Sequence, residues 1–138
     1  MTTRVNRSAL YATATIVLIH LLVNFAHGWA HRQLEIGLTT FQSAFVIIVV
    51  LALPLLALQM VWAARIPAGL RLLSASMFAA LMFGLYHHFL LAGPDHIHSQ
   101  PDSTSGAIFV VSSYLLLITE AIGTYIGIHF LRGEQGLR

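Results

Sequence analysis

The stretch "GLYHHFLLAGPDHIH", residues 84–98, is apolar and yet carries His87, His88, His96 and His98, while an earlier stretch, "NFAHGWAH", carries His27 and His31. Histidines four residues apart on a helix share one face and can share one metal ion. A third imidazole from a neighbouring helix would complete the three-ligand arrangement of reactive metal sites, with a position left open for water or substrate. His27, His31 and His87 or His88 are therefore the candidate metal ligands. Glu35, one further turn along if the helix continues, and Asp95, His96 and His98 are candidate outlying or access groups. With no cysteine in the chain, thiolate ligands, disulfides and thioether-bound haem are excluded, so nitrogen and oxygen must hold any ion. Imidazole suits zinc, copper or iron. A b-type haem held by one histidine from each stretch is the alternative cofactor, with Gly28 and Gly84 admitting a porphyrin face.

The elements that must position these residues are membrane helices. Of the 138 residues 57% are hydrophobic and only 9% charged, and the mean hydropathy is +0.80. A hydrocarbon core about 30 Å thick needs roughly 20 apolar residues per crossing, which leaves room for four crossings. Apolar runs at about 8–31, 41–64, 70–92 and 106–131 supply them, separated by "HRQLEIGLTT", "ARIPAGLR" and "GPDHIHSQPDSTSG". The expected fold is all-α, one integral membrane four-helix bundle spanning 1–138. The first run is longer than a signal core and lacks a small-x-small cleavage site, so it is read as a retained helix.

All seven basic residues are arginines. Arg4, Arg7, Arg65, Arg71, Arg132 and Arg138 flank one side of the predicted bundle and Arg32 the other, which places both termini in the cytoplasm of a bacterial or archaeal inner membrane. The net charge of +2 reflects this topology, and with no basic surface patch, nucleic acid is not an expected partner. The expected partners are the lipid bilayer and other membrane subunits or a second copy of the chain. The topology gathers six of the eight histidines at the non-cytoplasmic side. Counted at 1.5 Å per residue, His27 stands about 28 Å, and His87 and His88 about 26 to 27 Å, above the cytoplasmic boundary.

Deeper in the bundle, His20 and Glu120 fall near the midplane at similar depth. An ionisable group within a span marks a paired or functional site, and each is the natural partner of the other, as a hydrogen-bonded pair or a salt bridge. Gly123 and Gly127 form a GxxxG row suited to close helix contact. Pro54 should kink the second helix. Trp29, Trp62, Tyr11 and Tyr86 suit interfacial anchors.

Three functional readings follow. The first is a membrane protein with a histidine-rich transition-metal site at the non-cytoplasmic end of helices one and three, for redox chemistry or for metal binding and passage. The second is a b-type haem protein, and the third an accessory or assembly subunit without chemistry of its own. "HGWAH" has the His-x3-His spacing of a zinc-protease helix, but Gly28 stands where that chemistry needs its glutamate base.

Overall fold

The computed structural model describes residues 7–135, the side chains of 134 and 135 excepted. Arg4 and Arg138, two of the arginines used for orientation, lie outside the described residues. Four helices in succession carry the chain: α1 (Arg7–Gln33), α2 (Thr40–Trp62), α3 (Ile66–Leu90) and α4 (Thr104–Gln135), with no strand among the described residues. Each is long and apolar enough to cross a membrane. Trp29, Trp62, Tyr11 and Tyr86 are all exposed on them.

The helix ends follow local chemistry. α1 stops where Glu35 takes a left-handed conformation (φ 53°) and the Ile36 amide turns back to the His31 carbonyl at 3.0 Å. Glu35 is thus exposed beyond the helix and does not extend the histidine row. α2 begins with a reciprocal cap in which the Thr39 hydroxyl accepts from the Gln42 amide and the Gln42 side chain accepts from the Thr39 amide. α2 is followed by Ala64, also left-handed at φ 59°, with the Arg65 amide donating to the Met60 carbonyl. α3 starts four residues before the expected Leu70, because Pro67 sits in its first turn, where a missing N–H costs nothing.

Two helices are not regular. Residues Val46–Ala52 of α2 and Tyr86–Leu90 of α3 wind as π-helix, the second closing with a Leu91 amide to Tyr86 carbonyl bond of 2.8 Å. Pro54 explains the first: it has no N–H for the Val50 carbonyl four residues earlier, so the turn before it rewinds rather than sharply breaking.

α4 packs along both α3 and α1, and α2 packs on α3 and touches α1 mainly through its later half, Leu53–Trp62. The GxxxG row works as expected. A side chain begun at Gly123 would meet Met77 at 2.9 Å, and one at Gly127 would meet the Leu70 carbonyl oxygen at 2.7 Å, so α3 and α4 approach only because these positions are bare. Ile16, Val17, Ala57, Leu73 and Met77 fill the middle of the bundle, while Ala30, Ile97 and Phe109 form a smaller cluster at the opposite end from Arg7, Arg65 and Arg132.

Candidate metal centre

Of the adjacent histidines in the π-helical turn of α3, one faces inward, continuing the buried row of Met77, Ala80 and Gly84. His88 is buried and joins His27 and His31, so that one nitrogen from each of the three lies within 4.8 Å of the others. His87 turns toward α2, where its Nδ1 accepts from the Gln42 side-chain amide at 3.2 Å and its ring packs on Phe83. The two neighbours thus have different tasks, one in the cluster and one tying α3 to the cap of α2.

The partners of the three inward rings fix their tautomers. His31 Nδ1 lies 3.3 Å from the Ile36 carbonyl and His88 Nδ1 lies 3.0 Å from the Asp95 carbonyl; carbonyls only accept, so both Nδ1 atoms carry the proton. His27 Nδ1 lies 2.9 Å from Ser112 Oγ, whose own hydrogen points to the Ile108 carbonyl 2.6 Å away, so His27 Nδ1–H donates as well. The Nε2 atoms of His27 and His88 are then left without a proton, whereas His31 Nε2 lies between two acceptors, His27 Nε2 at 3.1 Å and Asp95 Oδ1 at 3.2 Å, contacts that only a proton or a cation relieves. This is the arrangement by which proteins orient imidazole ligands for a metal.

The separation between two of these nitrogens is informative. His27 Nε2 and His31 Nε2 lie 3.1 Å apart. Two lone pairs at that distance repel unless a proton or cation lies between them. Two ligands on a tetrahedral ion, each at about 2.0–2.1 Å, stand about 3.3–3.4 Å apart. At 3.1 Å the helix-one pair is within hydrogen-bond distance and a few tenths of an ångström inside the spacing of two ligands on one ion.

Phe109, fully buried on α4, forms a common floor. Its ring centroid lies 4.8 Å from that of His27, 5.1 Å from His31 and 5.4 Å from His88. Its bulk prevents the three imidazoles from collapsing toward α4 and keeps them facing one another.

The loop after α3 supplies charge. Asp95 Oδ1 lies 3.2 Å from His31 Nε2 and 3.3 Å from His88 Nδ1, yet this buried oxygen has no partner with hydrogen-bond geometry. Burial alone would raise the Asp95 carboxyl, but the two imidazoles outweigh it and hold it well below the usual carboxylate range. A carboxylate is therefore held beside the rings, its oxygen available to a cation. His96 and His98 do not point into the cluster. His96 Nε2–H donates to the Phe89 carbonyl at 3.2 Å and its Nδ1 accepts from the His98 amide, while His98 is exposed. Together with Ile97, buried against Ala30 and Phe109, they fasten the loop so that Asp95 stays in place.

The deeper pair does not form as expected. His20 is fully buried, with its Nε2 3.1 Å from the Val50 carbonyl and its Nδ1 3.5 Å from Thr119 Oγ1. Pro54 is the cause: the carbonyl it leaves without a helical donor takes the imidazole N–H instead. Asn24 steadies the same turn by donating to the His20 carbonyl at 2.9 Å. Glu120, 2% exposed, keeps an Oε2 with no hydrogen-bond partner.

Glu120 borders the same space as the histidines. A cavity of about 390 Å³ is bordered by His27, His31, His88 and Asp95 at one end and by Glu120 and Asn24 at the other. Gly84 lies between them: a side chain begun there would come within 3.8 Å of Glu120 Oε2 and 3.9 Å of the His88 ring. Sequence reasoning missed Ser112 and Phe109. The signal for Ser112 was present, since a serine in an apolar helix needs a partner, whereas nothing distinguishes Phe109 from its apolar neighbours. Comparisons with protein-family models, with curated proteins and with solved structures give no match, so the functional reading rests on this geometry.

Proposed function

We propose that this chain is a multi-pass membrane protein with both termini in the cytoplasm, and that His27, His31 and His88 bind one transition-metal ion near its non-cytoplasmic face for chemistry on a bound substrate. The observation that carries the reading is the convergence of one ring nitrogen from each of His27, His31 and His88 within 4.8 Å, while the Nδ1 of every ring has an acceptor of its own. The orientation is supported by Arg7, Arg65, Arg71 and Arg132 around the opposite end.

Three nitrogen ligands leave a tetrahedral ion one open position, the pattern of reactive rather than structural sites. Such an ion would act there as a Lewis acid or one-electron centre. The residues of the chain do the rest: Ser112, Ile36 and the Asp95 carbonyl hold the ligand Nδ1 protons, the Asp95 carboxylate offsets positive charge, and Glu120, with an unpaired carboxyl oxygen, borders the same cavity. Below Glu120 the bundle is closed by Met77, Leu73 and Val17, all fully buried, which favours a reaction centre over a passage for ions.

The geometry favours a metal ion over haem. The His27 and His88 rings meet edge to face with centroids 4.8 Å apart, leaving no plane between them for a porphyrin. Gly84, expected to face such a ring, has Leu117, Glu120 and His88 within 4 Å of where a side chain would begin. The test is elemental analysis with an absorption spectrum on the purified protein. One ion per chain, no Soret band, and loss of the ion in His27→Ala or His88→Ala but not His87→Ala is the expected result; a Soret band, or equal metal in all variants, would overturn it.

A further inference from the structure

The cavity beside the histidines is not enclosed by the bundle. The His20 to Val50 hydrogen bond ties α1 to α2, but outward from it the two helices make few contacts, because α1 leans on α4 and α2 on α3. The gap that results is bordered by Phe25 and Gly28 of α1 and by Leu38 and Val46 on the α2 side. Phe25 is 77% exposed, and a side chain begun at Gly28 would meet nothing within 4 Å. Phe25 lies roughly 12 Å below the end of α1, a depth within the hydrocarbon rather than above it. The cavity therefore opens sideways, toward lipid.

The two ends of this space differ in chemistry. Phe25, Gly28, Leu38 and Val46 make its mouth largely apolar, with Arg32 and Asn24 also on its border, whereas its inner wall includes His27, His88 and Glu120, whose Oε2 is buried and without a partner. A buried oxygen left unpaired is costly, so it calls for a guest that forms a hydrogen bond with it. A fully charged guest would have to cross hydrocarbon to reach it, and a purely apolar one would leave it unsatisfied.

We propose that the cavity binds a lipophilic hydroxyl compound, with a head group of phenol or quinol size, that enters between α1 and α2 from the bilayer. Its hydroxyl lies between Glu120 and the histidine cluster, where it can donate to the carboxyl oxygen or accept from it, and its tail leaves past Phe25 and Val46. The volume of about 390 Å³ suits such a head group, since small-molecule sites run from roughly 300 Å³ upward. The proposal names the substrate class of the metal centre and rests on that reading only for what the hydroxyl meets on the histidine side.

The test uses the full chain in lipid nanodiscs, titrated with 4-decylphenol and, for comparison, decylbenzene, which has the same tail without the hydroxyl. The expected result is saturable binding of one 4-decylphenol per chain and only linear partitioning of decylbenzene. Glu120→Leu removes the hydrogen bond and Gly28→Phe fills the mouth, and each should weaken phenol binding at least tenfold, while Glu120→Gln, which can still donate and accept, stays within about threefold of wild type. Linear partitioning of the phenol, or equal affinity in Glu120→Leu and Gly28→Phe, overturns the proposal. Metal content is measured on the same wild-type samples. Bound metal without saturable phenol sinks this inference and spares the metal centre, whereas saturable phenol without metal does the reverse.

Discussion

Removing the Ser112 hydroxyl should weaken metal binding while leaving the metal-free protein almost as stable as before. In Ser112→Ala the proton on His27 Nδ1 loses its acceptor inside a residue that is 7% exposed. A buried donor left unpaired costs about 1–3 kcal/mol. The metal-free protein has an escape, because the proton can move to Nε2, where His31 Nε2 accepts it at 3.1 Å. The metal-bound protein has none, since its Nε2 is committed to the ion. The whole penalty therefore falls on binding, about 10- to 100-fold in affinity, the range seen when partners of metal-bound imidazoles are removed. Ser113→Ala is the matched control: Ser113 is equally buried on the same helix, but its hydroxyl bonds only the Phe109 carbonyl of its own helix. Zinc affinity by competition with a chromogenic chelator, together with thermal unfolding of the metal-free forms, reads both quantities. Equal zinc affinity in Ser112→Ala and Ser113→Ala would refute the tautomer argument.

Other consequences can be checked on the same preparations. Asp95→Asn keeps the backbone carbonyl that holds His88 but removes the negative charge beside the rings, so zinc affinity should fall by roughly tenfold, about 1.4 kcal/mol, with little change in thermal stability. Gly127→Ala would place a methyl group 2.7 Å from the Leu70 carbonyl oxygen and force α3 and α4 apart, and thermal unfolding should report a loss of about 1–3 kcal/mol, the usual cost of overpacking. Ala64→Gly relieves the left-handed backbone at φ 59° and should stabilise the protein by about 1 kcal/mol in the same assay. Phe109→Ala removes the floor under all three rings and should lower both zinc affinity and thermal stability, the latter by about 3–5 kcal/mol.

The architecture was legible because four long apolar runs leave few other options, and the helix starts and ends differ from expectation by only a few residues where caps and Pro67 decide them. The pairing of His27 with His31 was legible for a similar reason, as a regular helix fixes which residues share its face. The choice between His87 and His88 was not, since the two lie three and four residues beyond Gly84, both within reach of one helix face, and only the packing of α3 puts His88 inward and His87 against Gln42 of α2. The midplane pairing failed for a related reason. Depth along the helices brings His20 and Glu120 to one level, but a carbonyl freed by Pro54 competes for His20 and wins. That competitor could have been read from the sequence, because any proline inside a helix leaves an acceptor four residues before it. Ser112 belongs with it, as a polar group that an apolar helix would otherwise strand.

The most direct test of the three-histidine centre is X-ray absorption at the zinc edge of protein loaded with one equivalent of zinc. The structure calls for three imidazole nitrogens at about 2.0–2.1 Å and one further light ligand, in a four-coordinate site. That spectrum should lose one imidazole in His88→Ala and remain unchanged in His87→Ala. A six-coordinate oxygen shell, or a signal with fewer than two imidazoles in the unaltered protein, would contradict the assignment of His27, His31 and His88 as ligands of one ion.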